Sequence, residues 1–121
     1  MNIKRIDYLV LNVSNISRAV RFYHEVFDMP IISENAEKAV MHCGHQLLEL
    51  QLVPSATSSS QRVSFCIVAS TPMEDVLNHL ASYYVPVLNE PSEKVGASGK
   101  MTAIRIKDYD DNIIEIAVYQ H

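Results

Sequence analysis

The chain repeats its own punctuation. Pro30 and Pro86 stand fifty-six positions apart, and the same offset carries Ser14 onto Ser70, Asn15 onto Thr71 and Val20 onto Val76. Each copy reads in the same order: a β-branched, strand-like run, a capping residue, an apolar stripe at helical spacing, a proline, then three short strand-like runs. Two copies at this spacing describe a duplicated unit rather than a solenoid. The pattern therefore predicts an α+β fold, βαβββ written twice.

In the first copy "IKRIDYLVLNV" predicts a strand. Asn15 is placed to cap a helix whose stripe is Ile16, Ala19, Val20, Tyr23, Val26 and Phe27. The runs "IIS", "KAVMHC" and "QLLELQLV" predict three strands, with Gly44-His45 as the turn between the last two. The Ser- and Pro-rich stretch 54–61 reads as a linker, so module one spans 1–53 and module two 62–121. In the second copy "RVSFCIVAS" predicts a strand. Thr71, Pro72 and Glu74 predict a capping box for a helix with the stripe Met73, Val76, Leu77 and Leu80. The runs "VPVLN", "MTAIRIK" and "NIIEIAVY" predict the last three strands, and "EKVGASGK" (93–100) reads as a flexible loop able to gate a pocket. Beyond the helix the offset grows, so that "QLLEL" matches "NIIEI" and Glu49 matches Glu115.

Bulk properties exclude several classes. A chain of 121 residues makes one domain. Its net charge of −4, with Lys and Arg scattered, offers no electrostatic footprint for nucleic acid. No run approaches the roughly 20 apolar residues needed to span a bilayer, and Asp7 and Asn12 break up any signal-peptide layout. A cytoplasmic protein is expected. Cys43 and Cys66, without CxxC spacing and within strand-like runs, are expected to be buried, reduced thiols.

Two segments carry a family resemblance: "IDYLVLNVSNISRAVRFYHEVFDMP" and "IRIKDYDDNIIEI". They resemble the vicinal oxygen chelate superfamily, which includes glyoxalase I, bleomycin-resistance proteins and extradiol dioxygenases. The second half is similar to its glyoxalase-like "virulence protein" branch. Tyr109 and Asp111 replace the family's Pro and Gly in the last turn, where Asp111 or Asn112 can take the left-handed conformation instead. The resemblance covers the whole chain. It implies a curved mixed sheet wrapped around a pocket (the glyoxalase/bleomycin resistance/dioxygenase fold), and a homodimer.

Side-chain alternation assigns the polar groups to one face of each strand: Tyr8 and Asn12, Glu49 and Gln51, Ser64 and Cys66, Arg105, Glu115 and Tyr119. The resemblance turns that face toward the pocket. The family's metal ligands are His, Glu or His, His, and Glu; the matching positions here hold Tyr8, Glu49, Ser64 and Glu115. Both carboxylates remain and both histidines are absent, which leaves a poor set for a transition metal. The expected cofactor is none, or a divalent metal held weakly by Glu49 and Glu115. Among other histidines, His42 and His45 fall near the predicted rim. A hairpin closing around "DYDDN" would set Arg105 opposite Glu115, where it can take the charge role of a metal.

The leading functional expectation is a small-molecule-binding protein with a degenerate metal site, acting by sequestration. A mildly acidic, aromatic-edged cavity would suit an amphipathic or cationic ligand. The alternative is a metal-dependent lyase, isomerase or dioxygenase using Glu49 and Glu115. In that enzyme one glutamate, such as Glu115, could double as base; a third reading is a metal-free enzyme in which Tyr8 or a glutamate moves a proton.

Overall fold

The computed structural model describes residues 1–56 and 61–120. The chain divides into two compact units, Met1–Arg62 and Val63–His121. The first contains β1 (Tyr8–Val13), α1 (Ile16–Phe27), β2 (Ile31–Glu34), β3 (Lys38–Cys43) and β4 (Gln46–Leu52). The second contains β5 (Ser64–Val68), α2 (Met73–Ser82), β6 (Ser92–Gly96), β7 (Gly99–Lys107) and β8 (Ile113–Tyr119). The sheets are ordered β1-β4-β3-β2 and β5-β8-β7-β6, so each unit is one βαβββ module with its first and last strands parallel at one side.

In the first unit local chemistry sets the boundaries. Asn15 Oδ1 accepts the Arg18 N–H at 2.9 Å and starts α1. Asp28 ends it in the left-handed region (φ 56°), with its N–H donated to the Tyr23 carbonyl. The predicted stripe is buried at Ile16, Ala19, Val20, Tyr23 and Val26, and α1 packs against β3 and β4. The sheet face carrying Leu11, Val13, Ala39, Met41, Leu48 and Leu50 is likewise buried. Gly44, at φ 60°, makes the two-residue turn between β3 and β4, as the Gly-His pair predicts. The segment before Tyr8, predicted to be strand from Ile3, lies outside β1.

The second unit departs from expectation in two places. Thr71 makes no cap; Pro72 occupies that position, and α2 has no side-chain cap bond. Its buried residues are Val76 and Leu80. The predicted strand at 85–89 does not form. Pro86 has no N–H to offer a ladder; Leu88 N–H donates to the Arg105 carbonyl at 2.8 Å, while Val85 N–H turns back to the Leu80 carbonyl at 3.0 Å. The strand lies instead at Ser92–Gly96, overlapping the segment 93–100 read as a gating loop. Gly96 pairs with Gly99 across a two-residue turn, making 93–100 a β-hairpin. Tyr119 secures it, its hydroxyl accepting the Ser98 N–H at 3.0 Å. A Cβ on Gly96 would stand 2.7 Å from both the Tyr119 hydroxyl and Met101 Sδ.

The turn "DYDDN" keeps its form without the family's Pro and Gly. Asp108 Oδ1 accepts the N–H groups of Asp110 and Asn112, and its Oδ2 accepts the Asn112 side-chain amide. Asp111 takes the left-handed conformation at φ 63°. Asn112 also accepts the Val63 N–H at 2.9 Å, tying the start of β5 to the turn that precedes β8.

Candidate functional site

Each unit presents one polar sheet face. In the first, register places Tyr8, Val10 and Asn12 of β1 beside Leu47, Glu49 and Gln51 of β4. Lys38, Val40 and His42 of β3 continue the same face. Gln51 Nε2 donates to Asn12 Oδ1 at 3.1 Å, and Asn12 donates to Gln61 Oε1 at 2.7 Å. Gln61 belongs to the stretch read as linker, so sequence reasoning missed it. Lys38 Nζ approaches Glu49 Oε2 at 3.6 Å. Lys38, Glu49 and Gln51 line an open cleft of about 450 Å³ with Glu37, Leu52 and Pro54. Tyr8 lies exposed at one end of the face, and His42 is exposed beside Leu47.

In the second unit the polar residues converge more tightly. Register puts Glu115 of β8 between Cys66 of β5 and Arg105 of β7, as the predicted hairpin requires. Arg105 Nε stands 3.5 Å from Glu115 Oε2. A second cation, unforeseen, is closer: Lys94 of β6 reaches across β7 and donates to Glu115 Oε1 at 2.6 Å. A strand at 85–89 would put Lys94 in a loop. The G-x-x-G spacing of Gly96 and Gly99, between strand-like flanks, is the signal that would have identified its hairpin. Ser64 is exposed at the start of this face, beside Ile113. Tyr119 lies on the same face but uses its hydroxyl on the hairpin.

Charge follows from this geometry. The Glu115 side chain is only 9% exposed. The Lys94 hydrogen bond holds its carboxyl below the usual range, against a burial that works the other way; the charge of Lys94 and then Arg105 add to the lowering. The Cys66 thiol is pushed up, first by burial and then by the Glu115 charge beside it. Desolvation also raises Cys43. Both cysteines are free thiols but neither is buried as expected: Cys43, half-buried, ends β3 beside the turn, and Cys66 is exposed on the polar face of β5. The expectation of an acidic surface is thus reversed in the second unit: one carboxylate is matched by two cations.

The same contacts test the implied metal. Among the described residues, no three His, Cys, Asp or Glu side chains are grouped so as to hold an ion. A divalent ion at Glu115 would have to displace an ammonium and a guanidinium from a largely buried carboxylate, with no imidazole to compensate. The donor set does not fit a resident transition metal.

Two βαβββ units, each closing its sheet with a parallel pair of first and last strands, define a glyoxalase-type protein. The chain belongs to the Glyoxalase/Bleomycin resistance protein/Dioxygenase superfamily, whose model matches residues 5–116. It is 34% identical over 125 residues to "Virulence protein STM3117" of Salmonella typhimurium, covering 98% of this chain and 87% of that one. The crystal structure of that virulence protein superposes with a TM-score of 0.87 at 32% identity, over 99% of this chain and all (100%) of the other. The V. cholerae integron cassette protein VCH_CASS1 gives a TM-score of 0.86 at 28% identity, covering 99% and 98% of the two chains. No helix among the described residues is long and apolar enough to cross a membrane.

Proposed function

We propose that this chain is a small-molecule-binding member of its family, acting by sequestration, in which the glutamates that could hold a metal are engaged by the chain's own cations. One observation carries the reading: Glu115, largely buried, is held by Lys94 at 2.6 Å and Arg105 at 3.5 Å. An internal ion pair of this kind fills the charge role of a metal and leaves the polar sheet face free to take a ligand by contact and hydrogen bonding. The free thiols suit a reducing compartment, and we place the protein in the cytoplasm. A homodimer belongs to the same proposal. Ile31 and Ile32, exposed on edge strand β2, supply apolar edge surface for it, and sedimentation would read the mass.

Calorimetric titration with Mn²⁺, Ni²⁺ and Zn²⁺ tests the reading, together with melting shifts across a panel of small molecules. The expected result is no tight stoichiometric uptake of any divalent ion and a raised melting temperature with at least one organic ligand. Tight one-to-one uptake abolished by Glu115→Gln would overturn it. That outcome would favour the metal-dependent lyase, isomerase or dioxygenase using Glu49 and Glu115.

A further inference from the structure

The polar face of the second sheet carries more positive charge than Glu115 uses. Resting on the reading that this face takes a small molecule, we propose that its ligand is an amphipathic anion whose carboxylate or phosphate head is held by Arg105 and Lys94.

On the four strands of the second unit this face bears Lys94, Arg105 and Lys107 but a single carboxylate, Glu115. Arg105 turns its Nε toward Glu115, and its two terminal nitrogens have no partner among the described residues while the side chain is 59% exposed. A guanidinium offers those nitrogens as a planar pair that matches an oxyanion. Lys94, 48% exposed, spends one of its three N–H groups on Glu115 and has the others available.

Glu115 then works as a strut. Because it is buried and fixed by its strand, it aims two otherwise flexible cations at one patch, and that preorganisation lowers the ordering cost of binding. A cationic ligand would meet both positive groups with the carboxylate already taken, so the arrangement disfavours it. Next to the charged patch, β5 exposes Cys66 and Val68, a mostly apolar edge on which a ligand's hydrocarbon part can lie.

The test is a titration of the full chain with octanoate, octyl phosphate, octanamide and octylamine. It is followed through the Arg105 side-chain N–H and the amides of β5 and β7 in ¹H–¹⁵N spectra. Octanoate or octyl phosphate is expected to shift these signals saturably and to bind at least about tenfold more tightly than octanamide. Comparison of the two anions tells a carboxylate site from a phosphate site. Arg105→Gln is expected to weaken the anion at least about fivefold, whereas Lys100→Gln, on the opposite face, leaves it unchanged. Octylamine or octanamide binding as tightly as the anions would overturn the proposal while leaving small-molecule binding intact. Anion binding indifferent to Arg105→Gln would also overturn it. The absence of a saturable shift with all four probes does the same, and the melting panel then decides whether the broader reading falls with it.

Discussion

Glu49 and Glu115 occupy matching places in two copies of one module, yet their surroundings differ. Glu49 keeps 21% of its side chain exposed and meets Lys38 at 3.6 Å, over an open cleft. Glu115 keeps 9% and is gripped from two strands. The difference comes from the edge hairpin. In the second unit β6 and β7 carry Lys94 and Arg105 on the same face as the carboxylate; in the first, β3 offers Lys38 alone and β2 contributes no cation. A duplicated backbone thus preserves where a carboxylate points without preserving what it does. Electrostatic function is set by neighbours that the repeat itself does not specify.

Removing the two lysines in turn separates the two glutamates most forcefully. Lys94→Met strips the shortest contact from a buried carboxylate and is expected to cost about 1–3 kcal/mol, with Arg105 compensating in part. Lys38→Met loses a long, exposed pair and is expected to cost less than about 1 kcal/mol. Chemical denaturation of the two variants checks the ranking, and equal losses would mean that the two glutamates are equivalent after all.

A hairpin variant sharpens the same contrast. Gly96→Ala forces its new methyl against the Tyr119 hydroxyl and Met101 Sδ. Methionine can move, but the tyrosine ring is held by Ser98, so a cost of about 1–2 kcal/mol is expected, read by denaturation.

The pH dependence carries a definite sign. The folded-state pKa of Glu115 lies below its unfolded value, so its contribution is fully present above the unfolded pKa, about 4.3, and is lost as pH falls through the lower folded pKa. Lys94→Met removes the main cause of that lowering. The melting gap between wild type and Lys94→Met is therefore expected to be widest near neutral pH and to close below roughly pH 4. A gap that stays constant with pH would show that the lysine acts through packing.

The smallest effect concerns Cys66. Its side chain is exposed on the sheet face, yet partial desolvation of the sulfur and then the adjacent Glu115 carboxylate push the thiol pKa up, so alkylation by iodoacetamide at neutral pH is expected to be slow. Glu115→Gln removes a negative neighbour and leaves both cations, which should speed the reaction a few-fold. No change would indicate that burial alone governs the thiol.

The sequence made the module order and most strands legible because period, caps and prolines are local signals. The β8 alternation placed Glu115 and its partner Arg105 correctly for the same reason. It failed at Val85–Asn89, where a β-branched run outweighed the missing N–H of Pro86, and at Thr71, whose capping-box spacing was outcompeted by Pro72. The first failure hid Lys94, twenty-one positions from Glu115 and joined to it only through a sheet. Gln61 was hidden likewise, because its bond to Asn12 is a tertiary choice that polar linker composition cannot announce.

The Glu115 carboxylate is ionised and held by the chain's own cations, Lys94 and Arg105. Carbon-detected NMR titration of the Glu115 side-chain carboxyl reads this directly. A midpoint below that of an ordinary glutamate, moving upward in Lys94→Met and further with Arg105→Gln added, is the predicted result. A midpoint at or above the ordinary value in wild type, unmoved by either substitution, would contradict it.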